Sequence, residues 1–344
     1  MTKVDPQGAR FRLGEAKGHY ESWFLRGNHP TRPLAFWVRY TVTAMAGAPG
    51  DAVAELFAIV FDGERGEHVV AREAFPLTDA LFPTSGLGVR IGAATLEPRR
   101  ASGRATGPGD IAWDVRMEGG QDPLLLLPEG LYAGSFPKAK SLVMAPNVRF
   151  GGHFEVGGKE LEVDGWMGST NHNWGERHTD RYAWGQVAGF ADHPESFIEL
   201  ASARVKIGPV LLPTMTPIVF RHRGVEHRLN ALHTVFGRAS IDGFLRGPRA
   251  GGPRHRVEWR FKAKGSGLSI EGTMHADAAD FVTLWYKNPP GGKKLCINSK
   301  IATLDLELKS AGGVERLLSP RGAAFEILAE SAEASGVSGL PTAI

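Results

Sequence analysis

The segment Ala35-Phe-Trp-Val-Arg-Tyr-Thr-Val42 is rich in aromatic and β-branched residues and fits the two-residue period of a β-strand. Glycine and proline, 44 and 22 residues, separate many such segments. The other clear examples are residues 55–61, 181–190, 196–206, 257–263, 268–275 and 302–308. Short strands between turn residues predict an all-β chain of antiparallel sandwiches or barrels.

Length and composition limit the class of protein. A chain of 344 residues is long enough for about two domains, and 42% hydrophobic residues exclude wholesale disorder. The net charge of +3 comes from interspersed charges of both signs, which argues against a nucleic-acid-binding protein. Cys296 is the single cysteine, so no disulfide can form within the chain.

The apolar stretches are short. The first residues lack the apolar core of a signal peptide, and later apolar runs are interrupted by proline before the roughly 20 residues needed to cross a bilayer. We therefore expect a soluble, cytoplasmic protein.

The domain organisation follows from the distribution of strand-like segments. We expect one domain over residues 12–180, a second over residues 181–328 and a flexible tail over residues 329–344. The sequence also predicts short helices and long surface loops. Residues 72–81 and 314–318 are weak helix candidates, and residues 97–110 and 245–256 are expected to form long surface loops.

Common cofactor and metal motifs are missing from the sequence. Ser85–Gly92 superficially resembles a phosphate-binding turn, but its glycine spacing is wrong and no βαβ pattern surrounds it. The spacing of His172 and His178 matches no strong zinc pattern, and one cysteine gives no thiolate cluster. We expect neither a cofactor nor a bound transition metal.

The residues from Gly165 to Trp184 are the most informative for function, because polar groups able to exchange protons lie among tryptophans. In a strand His172 and Trp174 point to one face, and Tyr182 and Trp184 also share a face. Such a mixture suits an apolar ligand cavity with a few convergent polar groups. A buried aromatic corner whose histidines satisfy loop carbonyls explains the same pattern equally well.

The run Asn171-His-Asn-Trp-Gly175, followed by Tyr182 and Trp184, resembles a motif of the AttH-like lipocalin superfamily. Segments near Glu21–Leu25, Trp285–Gly291 and Asn298–Ala302 are similar to that family's opening and closing strands. The resemblance implies two lipocalin-like antiparallel β-barrel domains packed together around a ligand cavity. The superfamily includes tocopherol cyclases, carotenoid 1,2-hydratases and cofactor-free cyclases and Diels-Alderases.

The resemblance also implies roles for individual residues. His172 and Trp174 match the cavity-lining pair, and Glu199 is the carboxyl group that the hydratase branch would use as proton donor. We expect His172 and Glu199 to be catalytic. The expected substrate-binding residues are Trp23, Asn173, Trp174, Tyr182 and Trp184. His172, Trp174, Tyr182, Trp184 and Glu199 are expected to meet in one cavity.

The function implied is that of a cofactor-independent hydratase or cyclase. Its expected substrate is a hydrophobic polyene, isoprenoid or polyketide-like molecule, reacting by hydration, cyclisation or pericyclic closure. The expected partner is therefore an apolar small molecule and not a nucleic acid, with transient contact at a membrane surface allowed for substrate uptake. The alternative is a carrier that shields an apolar ligand in the same fold without reacting it.

Overall fold

A computed structural model of the chain describes residues 5–204, 206–207, 210–241, 244–246, 255–265, 267–337 and 340. The described chain is built from antiparallel β-strands, with only short helical segments between them. The helical segments are α1 (Gly130–Ala133), α2 (Ala332–Ser335) and three 3₁₀ turns at Leu77–Asp79, Leu232–Thr234 and Ala278–Asp280. The all-β prediction is confirmed.

Sheet A has twelve strands in the spatial order β4-β3-β2-β1-β12-β11-β9-β8-β7-β6-β5, with β10 paired to β11. Its strands are β1 (His19–Asn28), β2 (Leu34–Met45), β3 (Ala48–Asp62), β4 (Glu67–Pro76), β5 (Ala80–Leu81), β6 (Val89–Ile91), β7 (Ala94–Glu97), β8 (Arg100–Thr106), β9 (Asp110–Gly119), β10 (Leu124–Leu125), β11 (Ala139–Val156) and β12 (Lys159–Gly175).

Sheet B has ten strands in the order β18-β17-β14-β13-β24-β23-β21-β20-β19, with β22 paired to β23. Its strands are β13 (Arg181–Phe190), β14 (His193–Arg204), β17 (Ile218–His222), β18 (Val225–Leu229), β19 (Leu245–Arg246), β20 (Arg256–Gly265), β21 (Leu268–Asp277), β22 (Val282–Lys287), β23 (Lys293–Ser310) and β24 (Gly313–Ala329). A separate pair contains β15 (Lys206–Ile207) and β16 (Val210–Leu211).

The chain divides into two compact units. Unit 1 comprises the described parts of residues 1–125, 129–178 and 287–292, and unit 2 those of residues 126–128, 179–286 and 293–344. Sheet A forms a nearly closed barrel in unit 1, and sheet B forms a half-barrel in unit 2. Backbone hydrogen bonds from β4 to the turn between β8 and β9, such as Arg72 N to Gly107 O at 2.6 Å, nearly complete the barrel of unit 1.

Hydrogen bonds across the barrel identify the inner face of sheet A. Tyr40 on β2 accepts from the indole nitrogen of Trp113 on β9 at 3.0 Å and donates to the carbonyl of Thr95 on β7 at 2.7 Å. On β1, Trp23 lies opposite Tyr40 of β2 and opposite His172 of β12. All three side chains therefore share the inner face. Both faces of β1 are buried, which explains why the strand lacks a polar exposed side.

Unit 2 has a hydrophobic core on one face of sheet B. Ala183, Val187, Leu200 and Ile327 belong to that core. Side chains alternate along a strand, so the residues between them point to the opposite face. That opposite face carries polar groups, which are described with the candidate site below.

Two secondary-structure predictions are wrong. Residues 314–318 form the start of β24, where they pair with β23, and residues 72–81 form the end of β4, a 3₁₀ turn and β5. Both segments have only weak helical periodicity, and strand pairing supplies hydrogen bonds that a short isolated helix cannot match.

The prediction of a long surface loop at residues 97–110 is also wrong. This segment contains the last residue of β7, the whole of β8 and the turn that leads to Asp110, the first residue of β9. Its glycine content misled the prediction. A Cβ at Gly103 would lie 2.4 Å from the Cβ of Ala94, so the glycine permits close strand contact there.

Other predictions fall partly outside the described residues. Residues 247–254 of the surface loop predicted at 245–256 lie outside the described residues, and so do residues 338–339 and 341–344 of the predicted tail. Within the described part of the chain, no helix is long and apolar enough to cross a membrane.

The pairing of β1 with β12 depends on a close approach at Gly168. A Cβ at this position would lie 1.8 Å from the carbonyl oxygen of Arg26 on β1. Since this pairing also sets Trp23 opposite His172, the glycine helps to fix the candidate site.

We predict that Gly168→Ala lowers the free energy of unfolding by about 1–3 kcal/mol, because the added methyl group forces the two strands apart. Gly151→Ala is the matched control, since its Cβ would meet nothing nearer than the carbonyl oxygen of Val163 at 3.8 Å. Urea unfolding followed by tryptophan fluorescence compares the two variants. Equal stabilities would contradict the proposed role of Gly168.

Candidate functional site

The candidate site in unit 1 lies on the inner face of β1 and β12. The register pairs Trp23 with His172 and Glu21 with Trp174. All four residues have the same strand parity, so their side chains lie on one face. Glu21 and His172 are completely buried.

Glu21 is surrounded by hydrogen-bond donors. The backbone amides of Arg10 and Phe11 donate to its carboxylate at 2.8 and 2.7 Å. The side chains of His172 and His19 contact its two oxygens at 2.7 and 3.0 Å. A buried carboxylate with four donors is well compensated for its loss of hydration.

The balance of effects on Glu21 favours the ionised form. Burial alone would raise the pKa of its carboxyl group, but the hydrogen bonds from His172 and His19 and their charges lower it to about 2. At neutral pH Glu21 therefore carries a negative charge inside the barrel.

His172 has a polar contact at each ring nitrogen. Its Nε2 faces the Glu21 carboxylate, and its Nδ1 lies 2.9 Å from the carbonyl oxygen of Pro6. Both partners accept hydrogen bonds, so each ring nitrogen of His172 lies opposite an acceptor to which it can donate.

Aromatic rings enclose the His172 imidazole. Trp23 stacks on it with ring centroids 4.7 Å apart, and Trp174 lies at 4.8 Å. Phe82 stacks on Trp23, and the Arg10 guanidinium lies over the Trp174 ring at 4.9 Å. The electron-rich ring faces favour a positive charge on His172.

The N-terminal segment, residues 5–11, closes over these side chains. Besides the contacts from Pro6, Arg10 and Phe11, the carbonyl of Gln7 accepts a hydrogen bond from the Trp23 indole at 2.9 Å. The backbone of this segment therefore satisfies the polar atoms of the site.

Two other residues of the central motif lie apart from His172. Asn173 points to the opposite face of β12, where its side-chain oxygen accepts a hydrogen bond from the Ser22 hydroxyl. His178 stacks on Tyr20, and its backbone amide donates to Asn288 at 3.0 Å. His172 and His178 therefore have separate surroundings.

The remaining predicted site residues lie in unit 2, on the face of sheet B opposite its hydrophobic core. The indole of Trp184 donates to the Glu199 carboxylate at 3.1 Å, and both residues are buried. Gln186 is the cross-strand neighbour of Glu199. The face of sheet B that carries Glu199 therefore also carries the polar side chain of Gln186.

A second buried charge lies beside Trp184. Lys300 is fully buried, donates to Glu326 at 2.6 Å and to Asn298, and lies over the Trp184 ring at 5.4 Å. The Tyr182 hydroxyl lies 3.4 Å from the other oxygen of Glu326. Unit 2 thus places two carboxylates and one ammonium group around an indole.

The predicted residues therefore form two groups. Trp23, His172 and Trp174 meet in unit 1, whereas Tyr182, Trp184 and Glu199 lie in unit 2. Their convergence in one cavity stays a prediction. Glu21, Lys300 and Glu326 were not among the site residues predicted from the sequence. Glu21 shares strand parity with Trp23, which was the one available signal, but its pairing with β12 is invisible in the sequence.

Comparison with known proteins gives distant relatives. No family model matches the chain. The uncharacterized proteins Rv0493c and MT0513 of two Mycobacterium tuberculosis strains are each 23% identical to it over 296 residues. The alignments cover 85% of this chain and 82% of each relative.

Solved structures resemble the whole chain. A Nitrosomonas europaea protein described as AttH aligns with a TM-score of 0.59 at 14% identity, covering 96% of this chain and 99% of that one. Kievitone hydratase from Nectria haematococca gives 0.51 at 11% identity, with coverages of 96% and 99%. CghA in complex with Sch210972 gives 0.53 at 14% identity, with coverages of 98% and 96%.

These similarities define the fold. The chain has the AttH-like lipocalin fold, so the resemblance inferred from the central motif is confirmed at this level. At such low identities the likeness extends to architecture and not to chemistry, because one fold supports many sites.

The charge of Glu21 predicts a pH-dependent stability. A pKa lowered to about 2 in the folded protein, against an ordinary value of 4.5, means that the stabilisation is complete above pH 4.5 and is lost as the pH falls toward 2. We predict that Glu21→Gln lowers the free energy of unfolding by about 2–4 kcal/mol at pH 7 and that this difference shrinks below pH 4.5.

Urea unfolding at a series of pH values measures this difference. Glu118→Gln, which changes an exposed carboxylate on β9, is the control and should alter stability by less than about 0.5 kcal/mol. A Glu21→Gln protein as stable as the wild type at pH 7 would show that the buried charge has no stabilising role.

Proposed function

We propose that this protein is a cofactor-independent enzyme that protonates a hydrophobic small molecule and directs its hydration or cyclisation. The observation that carries the proposal is the position of the buried His172 ring between two hydrogen-bond acceptors, the Glu21 carboxylate and the Pro6 carbonyl, which suits an imidazolium ion that donates from both nitrogens. A cation stacked between aromatic rings in a buried site is a preorganised general acid.

The Nδ1 proton of His172 is the one available for transfer. Its present acceptor, Pro6, belongs to the N-terminal segment, whereas Glu21 is fixed on a strand of the barrel. A substrate double bond in place of the Pro6 carbonyl would take the proton from Nδ1. The Nε2–H bond to Glu21 would remain and hold the neutral ring in place.

The electron balance closes without a cofactor. The double bond uses its electron pair to bind the proton, which leaves a carbocation near the Trp23 and Trp174 rings. Each such ring face contributes about 0.5–2 kcal/mol to the stability of a nearby cation. In hydration, water adds to the cation and returns a proton to Nδ1. In cyclisation a second double bond attacks the cation, and the new carbocation loses a proton from an adjacent carbon to Nδ1, which forms a double bond and restores the imidazolium.

Glu199 is the alternative proton donor. It is buried and its carboxylate accepts a hydrogen bond from Trp184, which combines an acid with an aromatic face as in unit 1. The same reaction class therefore has two candidate donors, and single variants can separate them.

The fold neighbours support the reaction class. Kievitone hydratase has a name that denotes addition of water, and CghA holds the small molecule Sch210972. From these neighbours and the aromatic site we propose a polyene, isoprenoid or polyketide-like substrate. Pericyclic closure needs no proton transfer, so deuterium incorporation from the solvent distinguishes it from hydration and from protonation-initiated cyclisation.

Deuterium incorporation tests the proposal. Native mass spectrometry of freshly purified protein identifies any co-purified apolar molecule, which is then added back in D2O alongside farnesol, geranylgeraniol and lycopene. Hydration or protonation-initiated cyclisation places one solvent deuterium on carbon. Pericyclic closure changes the molecule without adding deuterium, and a carrier returns it unchanged.

We predict that His172→Gln slows product formation by about 10²–10⁴-fold, the usual contribution of a general acid, while ligand binding persists. Glu199→Gln should have the larger effect if Glu199 is the donor. His153→Gln, which changes an exposed histidine of β11, is the control and should leave the rate unchanged. Wild-type protein that binds the ligand but forms no product would favour the carrier function instead.

A further inference from the structure

Three hairpin ends of unit 2 meet at a cluster of metal-ligating side chains. His193 begins β14, His222 ends β17, and Glu315 lies near the start of β24. One ligand atom from each residue lies within 4.8 Å of the other two. This cluster, His193, His222 and Glu315, is called here the hairpin cluster.

The carboxylate of Glu315 joins the two rings. Its Oε1 lies 2.9 Å from Nε2 of His193, and its Oε2 lies 3.1 Å from Nε2 of His222. One carboxylate therefore lies within bonding distance of both imidazole rings.

Hydrogen-bonding groups surround the His222 ring. Ser196 Oγ lies 2.8 Å from Nδ1 of His222 and 3.4 Å from the Glu195 carboxylate. When the serine proton is directed to Glu195, the serine oxygen can accept from Nδ1, which leaves Nε2 to bind either a proton or a metal ion.

Nε2 of His222 and the Glu315 carboxylate lie 3.1 Å apart, a separation that a shared proton or a bound metal ion can bridge. A serine that accepts from the distal ring nitrogen is also the kind of contact that fixes the tautomer of a metal-bound histidine. The arrangement therefore suits a cation as well as a proton.

We propose that the hairpin cluster binds a divalent zinc ion through Nε2 of His193, Nε2 of His222 and the Glu315 carboxylate, with water in the fourth position. Zinc binds imidazole nitrogen and carboxylate oxygen at about 2.0–2.2 Å, which places tetrahedral ligand atoms about 3.4 Å apart. The observed separations differ from this spacing by an amount that side-chain rotation supplies. The bound ion would clamp three hairpins together.

Arg223 competes with the ion. Its guanidinium contacts Oε1 of Glu315 at 2.8 Å, but its side chain is 64% exposed and can rotate into solvent. Glu195 lies on the other side, with its carboxylate 3.5 Å from Nδ1 of His193. Arg223 weakens the attraction for a cation, and Glu195 strengthens it.

The expectation of no bound transition metal rests on the spacing of ligands along the sequence, which does not connect the residues of the hairpin cluster. His222 and Glu315 are 93 positions apart, so no spacing motif connects them. The ligands come from three hairpins that only the fold brings together.

Metal titration of the untagged, chelator-treated full chain tests the proposal. Cobalt(II) should give the intense visible absorption of a four-coordinate site, and isothermal titration with zinc chloride should show one site per chain. Zinc should raise the melting temperature of the wild type. Wild-type protein that binds neither ion stoichiometrically would overturn the proposal.

Variants locate the site. His222→Ala and Glu315→Gln should each weaken zinc binding at least about 10-fold and abolish the cobalt absorption, whereas Arg223→Asn should tighten binding by removing the competing cation. Asn suits the left-handed backbone at this position, where φ is 50°. His153→Ala is the control and should bind like the wild type. Circular dichroism checks that each variant is folded, and unchanged zinc affinity in both folded ligand variants would also overturn the proposal.

Discussion

The buried negative charge of Glu21 is the constraint on which the rest of unit 1's site depends. Its carboxylate lies inside the barrel and requires donors from three parts of the chain: β1 itself, β12 and the N-terminal segment. An unpaired carboxylate at that depth would cost several kcal/mol. Satisfying it fixes the register of β1 and β12, orients the His172 ring and holds the N-terminal segment against the barrel.

Unit 2 also contains buried charged groups, on the face of sheet B opposite its hydrophobic core. One face of its sheet forms an ordinary hydrophobic core, while the other buries Glu199, Glu326 and Lys300 around Trp184. Charged groups are rarely buried without a function or a partner, and here each has a partner. Both units therefore bury a carboxylate, a basic side chain and an indole close together.

Local patterns predicted much of the fold, because strand alternation and turn residues act over a few positions. The helix predictions at residues 72–81 and 314–318 were wrong because pairing with β3 and β23 outweighs weak helical periodicity. The central motif identified His172 and Trp174, but Glu21 was missed because it is 151 residues from His172. The register between β1 and β12 brings Glu21 to His172. This register is determined by the fold, and the residues around Glu21 in the sequence carry no pattern that indicates it.

The protonation of His172 can be observed by long-range ¹H–¹⁵N NMR of the histidine rings, with His172→Gln assigning the signals. If Glu21 is ionised and Pro6 accepts from Nδ1, both ring nitrogens of His172 carry protons at pH 7, and both protons exchange slowly with solvent. A ring nitrogen of His172 that lacks a proton at pH 7 would contradict the buried imidazolium and remove the acid from which the proposed reaction starts.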